Sequence, residues 1–220
     1  MTTLRVSLLG APSIEAGRKR IETDTRKATA LLAYLAVSEQ PQRRATLAAL
    51  LWPEADDAKA RGALRRTLSV LRSALGDRWL EAEGDTIDLD RAGVRVDVTE
   101  FRAAIHEGRL EAAAGLYRGE FLQGFSLRDS PAFDDWQAAQ ADALRTAYGD
   151  VLARLATAAE RDGDVGAAIA YAKLRLAVDP LHEPAHRELM RLQARSGDRA
   201  AAVRQYRDRK STRLNSSHRH

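Results

Sequence analysis

Residues 57–75 hold the side chains with the clearest chemical use. At 100° per residue, Lys59, Gly62, Arg65, Arg66, Ser69 and Ser73 fall on one side of a helix, with Arg61 and Arg72 flanking the leucines opposite. Long cations bond phosphate oxygens and guanine edges, and small residues let a helix backbone settle into a groove. Arg43 and Arg44 stand where a second helix would begin. They are candidate phosphate clamps through side chain and helix N-terminus. The expected DNA-contacting set is therefore Arg43, Arg44, Lys59, Arg61, Arg65, Arg66, Ser69 and Arg72. An ordinary amphipathic helix also carries a solvated charged face, so residue types alone leave both readings open.

Other chemistry finds no support. The chain has neither a Gly-x-x-x-x-Gly-Lys-Ser/Thr loop nor a Gly-x-Ser-x-Gly elbow. It has no cysteine, which excludes disulfides and thiolate metal sites. His182 and His186 are spaced for one helix face, but Pro184 lies between them and no third ligand is in view. Asp134-Asp135 reads as a helix N-terminal charge pair, not a catalytic dyad. Phe133 and Trp136 read as core. No catalytic residue, metal or cofactor is expected, and the chain is not read as an enzyme.

The elements that must position the cationic face come next. Leu4–Leu9, Ser13–Ala16 and Arg18–Glu22 read as short strands with turns between, giving a small antiparallel sheet. Thr25 caps a helix through Leu31, Leu32 and Leu35 to Val37. A short helix from Arg44 to Leu51 follows and ends at Trp52-Pro53. In residues 57–75, Leu64, Leu68, Leu71 and Leu75 form one apolar stripe, and Gly76 stops the helix. A hairpin (Trp79–Ala82, Thr86–Leu89) and Val94–Val98 complete the first half. Small sheet, helix, helix, basic helix, hairpin is the order of a winged helix-turn-helix, whose third helix enters the major groove. The hairpin is acidic, with Glu81, Glu83, Asp85, Asp88 and Asp90, so phosphate would repel it unless Arg78, Arg91 and Arg95 compensate.

The second half is helical. Helices are expected over Thr99–His106, Leu110–Tyr117, Phe133–Glu160 (with Gly149 as an interruption), Val165–Val178 and Glu183–Ser196. Gly163-Asp164 recurs as Gly197-Asp198, 34 residues on, and Ala167-Ala168-Ile169 recurs as Ala201-Ala202-Val203. That period is the tetratricopeptide signature, and such repeats stack into protein-binding solenoids. The fold class is thus mainly α with small β, a winged helix-turn-helix domain followed by an α-helical tetratricopeptide-like solenoid. Expected boundaries are 1–97, 98–207 and a tail at 208–220.

Leu4–Gly10, Arg26-Lys27 with Leu31–Leu35, Leu51-Trp52-Pro53 and Ala60-Arg61 through Leu71–Gly76 together resemble the Streptomyces antibiotic regulatory protein class. Members of that class join an OmpR-like winged helix to a bacterial transcriptional activator domain. Pro131–Trp136 and the repeats resemble the activator domain, so the likeness covers about residues 4–207. It implies a DNA-binding transcriptional activator that recognises direct repeats in double-stranded DNA, associates with itself there as a homodimer and contacts RNA polymerase. A protein-interaction adaptor that no longer binds DNA is the alternative, as is the regulatory front end of a larger signalling ATPase.

Charge follows these boundaries unevenly, at net +2 over 1–97, −1 over 98–207 and +3 over 208–220. Bulk charge therefore argues weakly for DNA, and placement must decide. The tail is polar, lacks an apolar repeat and resembles adapter-derived sequence. The natural chain is accordingly expected to continue past Arg207, with apolar surface exposed near Val203 and Tyr206. No stretch has the ~20 apolar residues of a membrane span, and Met1–Gly10 does not read as a signal peptide. A cytoplasmic protein with no membrane partner is expected.

Overall fold

The computed structural model describes residues 3–23, 25–198, 200–201 and 204–205. Val203, Tyr206 and the 208–220 tail lie outside them, as do the expectations placed there. The chain forms two compact units, Met1–Glu107 with Gly115–Leu144, and Gly108–Ala114 with Arg145–His220. The first unit runs past the boundary expected at residue 97.

In the first unit, β1 (Leu4–Ser7), β2 (Ser13–Ala16) and β3 (Lys19–Ile21) pair antiparallel in sequence order. Alternation sets their faces: Leu4, Val6 and Ile14 are buried, and Arg5 and Glu15 are exposed. After three intervening helices and a hairpin, β7 (Val94–Val96) returns beside β1 in parallel, so the finished sheet is mixed, in the order β3-β2-β1-β7. Its carboxyl end is tied by Asp97, which accepts N–H bonds from Leu8 (2.8 Å) and Leu9 (2.9 Å). Burial pushes the Asp97 carboxyl above the usual range, against the lowering effect of those N–H bonds.

Helix α1 (Arg26–Ser38) begins where the Thr25 hydroxyl accepts the Ala28 N–H, and it buries Leu31, Leu32 and Leu35. Helices α2 (Arg44–Leu51) and α3 (Asp57–Leu75) pack beside it. The Asp56 carboxylate caps α3 by accepting the Lys59 N–H at 2.9 Å. Leu64, Leu68, Leu71 and Leu75 all turn inward, as the stripe predicts. A second sheet holds the hairpin β5 (Leu80–Glu83) and β6 (Thr86–Leu89), one residue later in its first strand than expected. A two-residue strand, β4 (Gln42–Arg43), joins it in the order β4-β6-β5.

The same unit then takes in chain well beyond the winged helix. It includes helix α4 (Asp97–His106); most of α5 (Leu110–Leu116) falls in the second unit, and Gly115–Leu144 brings in the first turns of α6 (Pro131–Arg161). Phe121 bridges to Leu9, and Leu122 donates its N–H to the Leu8 carbonyl at 2.8 Å. Trp136 stacks near Tyr34 (4.9 Å), Phe133 (5.2 Å) and Phe121 (5.6 Å), an aromatic core as the sequence reading held. Ser130, fully buried, donates to the Leu51 carbonyl at the end of α2. Lys27 donates to that same carbonyl and to the Ser130 hydroxyl (2.7 Å), pairs with Asp129 (3.0 Å) and lies over the Trp52 ring. Arg26 donates to the Ser126 carbonyl and stacks on Phe125. Residues 115–137 form a strap, and the Arg26-Lys27 pair fastens it.

In the second unit α6 runs unbroken through Gly149, which does not interrupt it. Gly is tolerated there because flanking Ala and Leu residues propagate the helix. Helices α7 (Val165–Val178) and α8 (Glu183–Arg195) pack through Ala168, Ala172, Leu189 and Leu192. The repeat is visible in hydrogen bonds. Gly163 and Gly197 both turn at positive φ (85° and 88°), and Asp164 and Asp198 then accept from Ala167 (2.8 Å) and Ala201 (2.9 Å). His182 caps α8 through Nδ1. His186 donates from Nε2 to the Pro180 carbonyl (2.8 Å) and accepts the Gln205 amide at Nδ1 (2.7 Å). Both imidazoles thus serve the backbone and packing of the repeat.

Candidate nucleic-acid interface

The inward leucines fix the azimuth of α3, and its other side faces solvent. Lys59, Arg61, Arg65, Arg66 and Ser69 are exposed, and Arg72 is half-buried. Among the described residues, Arg61, Arg65, Arg66 and Arg72 form no ion pair. Lys59 differs, pairing with Asp56 at 2.9 Å. The Lys59 ammonium, then its N–H, holds the Asp56 carboxyl below the usual range. Gly62 matters for shape: a Cβ there would stand 3.7 Å from the Arg66 guanidinium, so its absence leaves the centre of the face low. The face offers guanidinium donors, the Ser69 and Ser73 hydroxyls and a shallow middle, which suits an extended anion with base edges.

Arg43 and Arg44 sit differently from the expectation. Arg43 lies in β4, paired in register with Thr86, and the Arg44 N–H donates to the Asp85 carbonyl at 2.8 Å. The first amide of α2 is therefore occupied by the hairpin turn, and the helix-terminus route to phosphate is closed at that group. The side chains remain, Arg43 exposed and Arg44 half-buried, without an ion pair among the described residues. Sequence pattern could not reveal a two-residue strand.

The hairpin keeps an acidic tip. Glu81, Glu83 and Asp85 are exposed, with no ion pair among the described residues. Compensation is partial. Arg91 pairs with Asp88 at 2.5 Å, but Arg95 turns to Glu100, and Arg78 stacks on Trp79 at 3.9 Å. Asp90 spends its carboxylate on the Ala92 and Gly93 N–H groups.

A groove of about 570 Å³ runs between β3 and the C-terminal half of α3, lined among others by Lys19, Glu22, Ser69 and Ser73. Lys19 was not among the expected contacts. The signal was the Arg18-Lys19-Arg20 run, which reads as an edge strand until α3 is placed beside it. No group of three or more His, Cys, Asp or Glu that could hold a metal occurs among the described residues. No helix among them is long and apolar enough to cross a membrane.

Residues 88–215 match the family described as the bacterial transcriptional activator domain. No curated protein sequence matches the chain. Among solved structures, Mycobacterium tuberculosis EmbR, in complex with a low-affinity phosphopeptide, is similar with a TM-score of 0.72 at 24% identity. The match covers 96% of this chain and 60% of that one, so this chain spans about three-fifths of the EmbR chain. At that identity the likeness speaks for the fold. With the matched region covering more than half of its length, the chain belongs to the bacterial transcriptional activator domain family.

Proposed function

We propose that this protein is a sequence-specific DNA-binding transcriptional activator of the cytoplasm. Helix α3 enters the major groove, with Arg65 and Arg66 reading base edges and Arg61, Arg72, Arg43 and Arg44 meeting the flanking phosphates. Lys59 and Ser69 complete the contact set. The helical-repeat unit serves self-association on direct repeats and contact with RNA polymerase. One observation carries this reading: exposed arginines on the outward face of a leucine-pinned helix have no ion pair within the described protein. Guanidinium groups left unpaired on a rigid face are ready for phosphate and guanine.

Selection of bound duplexes from genomic DNA, followed by electrophoretic shift of the recovered sites, tests it. A defined site bound more tightly than bulk DNA, with affinity lost in Arg65→Ala/Arg66→Ala, is the expected result. Unchanged affinity in that double variant removes α3 from the interface. The exposed acidic hairpin tip favours a second reading, a protein-interaction adaptor. Absence of any salt-dependent affinity for duplex DNA would select it.

A further inference from the structure

We infer that the groove between β3 and the C-terminal half of α3 receives the sugar-phosphate backbone of the bound duplex, with Lys19 as a phosphate contact beside Ser69 and Ser73. The inference rests on the DNA-binding reading above and extends the interface from the helix to the N-terminal sheet.

Strand register orients the groove. Ile14 pairs with Ile21 and Ala16 with Lys19, so Lys19 shares the sheet face of the buried Ile14, two residues beyond Ile21. It stands at the exposed rim of the face that carries the core. Arg20, in register with Glu15, alternates to the other sheet face, yet it also lines the groove and is a second cation beside Lys19. Across the gap, Ser69 and Ser73 lie one turn apart on the exposed side of α3. Both are hydroxyls, a side-chain type that commonly bonds phosphate oxygens. Ser69 is three and four residues from Arg66 and Arg65, so the groove continues the candidate recognition face rather than forming a separate pocket.

Size and charge name the occupant. About 570 Å³ far exceeds the ~30 Å³ share of one water, and it is an open trough. A linear polyanion fits, because Lys19, Arg20, Ser69 and Ser73 supply donors along the trough, beside the apolar Ile21, Val70 and Ala74. Lys19 has no ion pair among the described residues. The opposing charge is Glu22, also in the lining, which works against an anion. The two groups therefore give opposite signs on mutation, which a merely structural role for either would not.

The test uses the full chain and a duplex recovered by selection, with affinity measured across a salt series. Lys19→Ala is expected to weaken binding several-fold on all sequences alike and to flatten the dependence of log K on log salt by about one. Glu22→Gln is expected to strengthen binding at low salt. Lys19→Ala and Glu22→Gln with wild-type affinity and slope, while Arg65→Ala/Arg66→Ala loses binding, would overturn the groove and leave the DNA reading standing. No duplex binding by the wild type would overturn both. Calorimetric binding of free inorganic phosphate, abolished by Lys19→Ala, with that variant's duplex affinity unchanged, would reassign the groove to a small anion and overturn the backbone proposal.

Discussion

The outer faces of α3 and α8 carry the same kind of side chain and use it in opposite ways. On α8, Arg191 and Arg195 both reach Glu160 of α6, Arg191 through two bonds of 2.5 and 2.6 Å. On α3, Arg61, Arg65 and Arg66 find no acid among the described residues. Both helices are amphipathic and arginine-rich, so composition does not distinguish them. Internal pairing does: an arginine satisfied by its own fold is a fastener, and one left exposed is available to an external anion. The same contrast recurs inside the first unit, where Arg26 and Lys27 hold the strap.

The sharpest way to break this comparison is to truncate both arginine pairs. Arg65→Ala/Arg66→Ala should lower affinity for a selected site by at least tenfold, since each base-reading arginine is worth about 1–3 kcal/mol. Arg191→Ala/Arg195→Ala should leave DNA affinity unchanged. A gel-shift titration that ranks the two doubles the other way would void the distinction. Next in size, Leu68→Ala should cost about 2–5 kcal/mol of stability by opening a cavity under α3, read as a lower urea midpoint.

Replacing Lys27 by Met should destabilise the first unit by about 1–3 kcal/mol, because Asp129 and part of the Leu51 carbonyl's bonding lose their donor. It should leave the salt slope of DNA binding untouched, as befits a fastening cation. A smaller effect concerns pH. Glu160 is held down to about 2, first by its hydrogen bond from Arg191 and then by that from Arg195. With the folded value below the unfolded 4.5, the unfolded chain takes the proton first. The pair's stabilisation is therefore present above pH 4.5 and is lost as pH falls toward 2. Thermal melts of wild type and Glu160→Gln should differ near neutrality and converge at low pH; parallel curves would deny the pair any weight. Smallest of all, Glu81→Gln/Glu83→Gln should raise duplex affinity slightly at low salt if the hairpin lies near a phosphate, and not at all if it stays clear.

Much of this architecture was legible because it is local. The spacing of Leu64, Leu68, Leu71 and Leu75 dictated both the helix and its outward residues, and Gly163-Asp164 with Gly197-Asp198 announced a repeated turn that the hydrogen bonds reproduce. What pattern could not carry was long-range. Lys27 meets Ser130 across 103 positions, and Ser130 meets Leu51 across 79, with no periodicity to connect them. Parallel pairing of β7 with β1 and the short β4 likewise depend on partners far along the chain. The cationic face was readable as residue types. That its arginines meet no acid among the described residues is a property of three dimensions, and so is the nearness of Lys19 to Ser69.

The strap has a practical corollary for anyone who wishes to excise the winged helix. The last carbonyl of α2, which opens the turn into α3, is capped by Ser130, and Tyr34 is covered by Trp136. A clone stopped at residue 97 would strip both, leaving an aromatic ring and a helix end wet at the hinge that aims the arginines. The shortest autonomous piece should instead extend to about Leu144, where the compact unit closes. An engineered exchange of either part must therefore carry both halves of the buckle, Lys27 with Tyr34 on one side and Ser130 with Trp136 on the other.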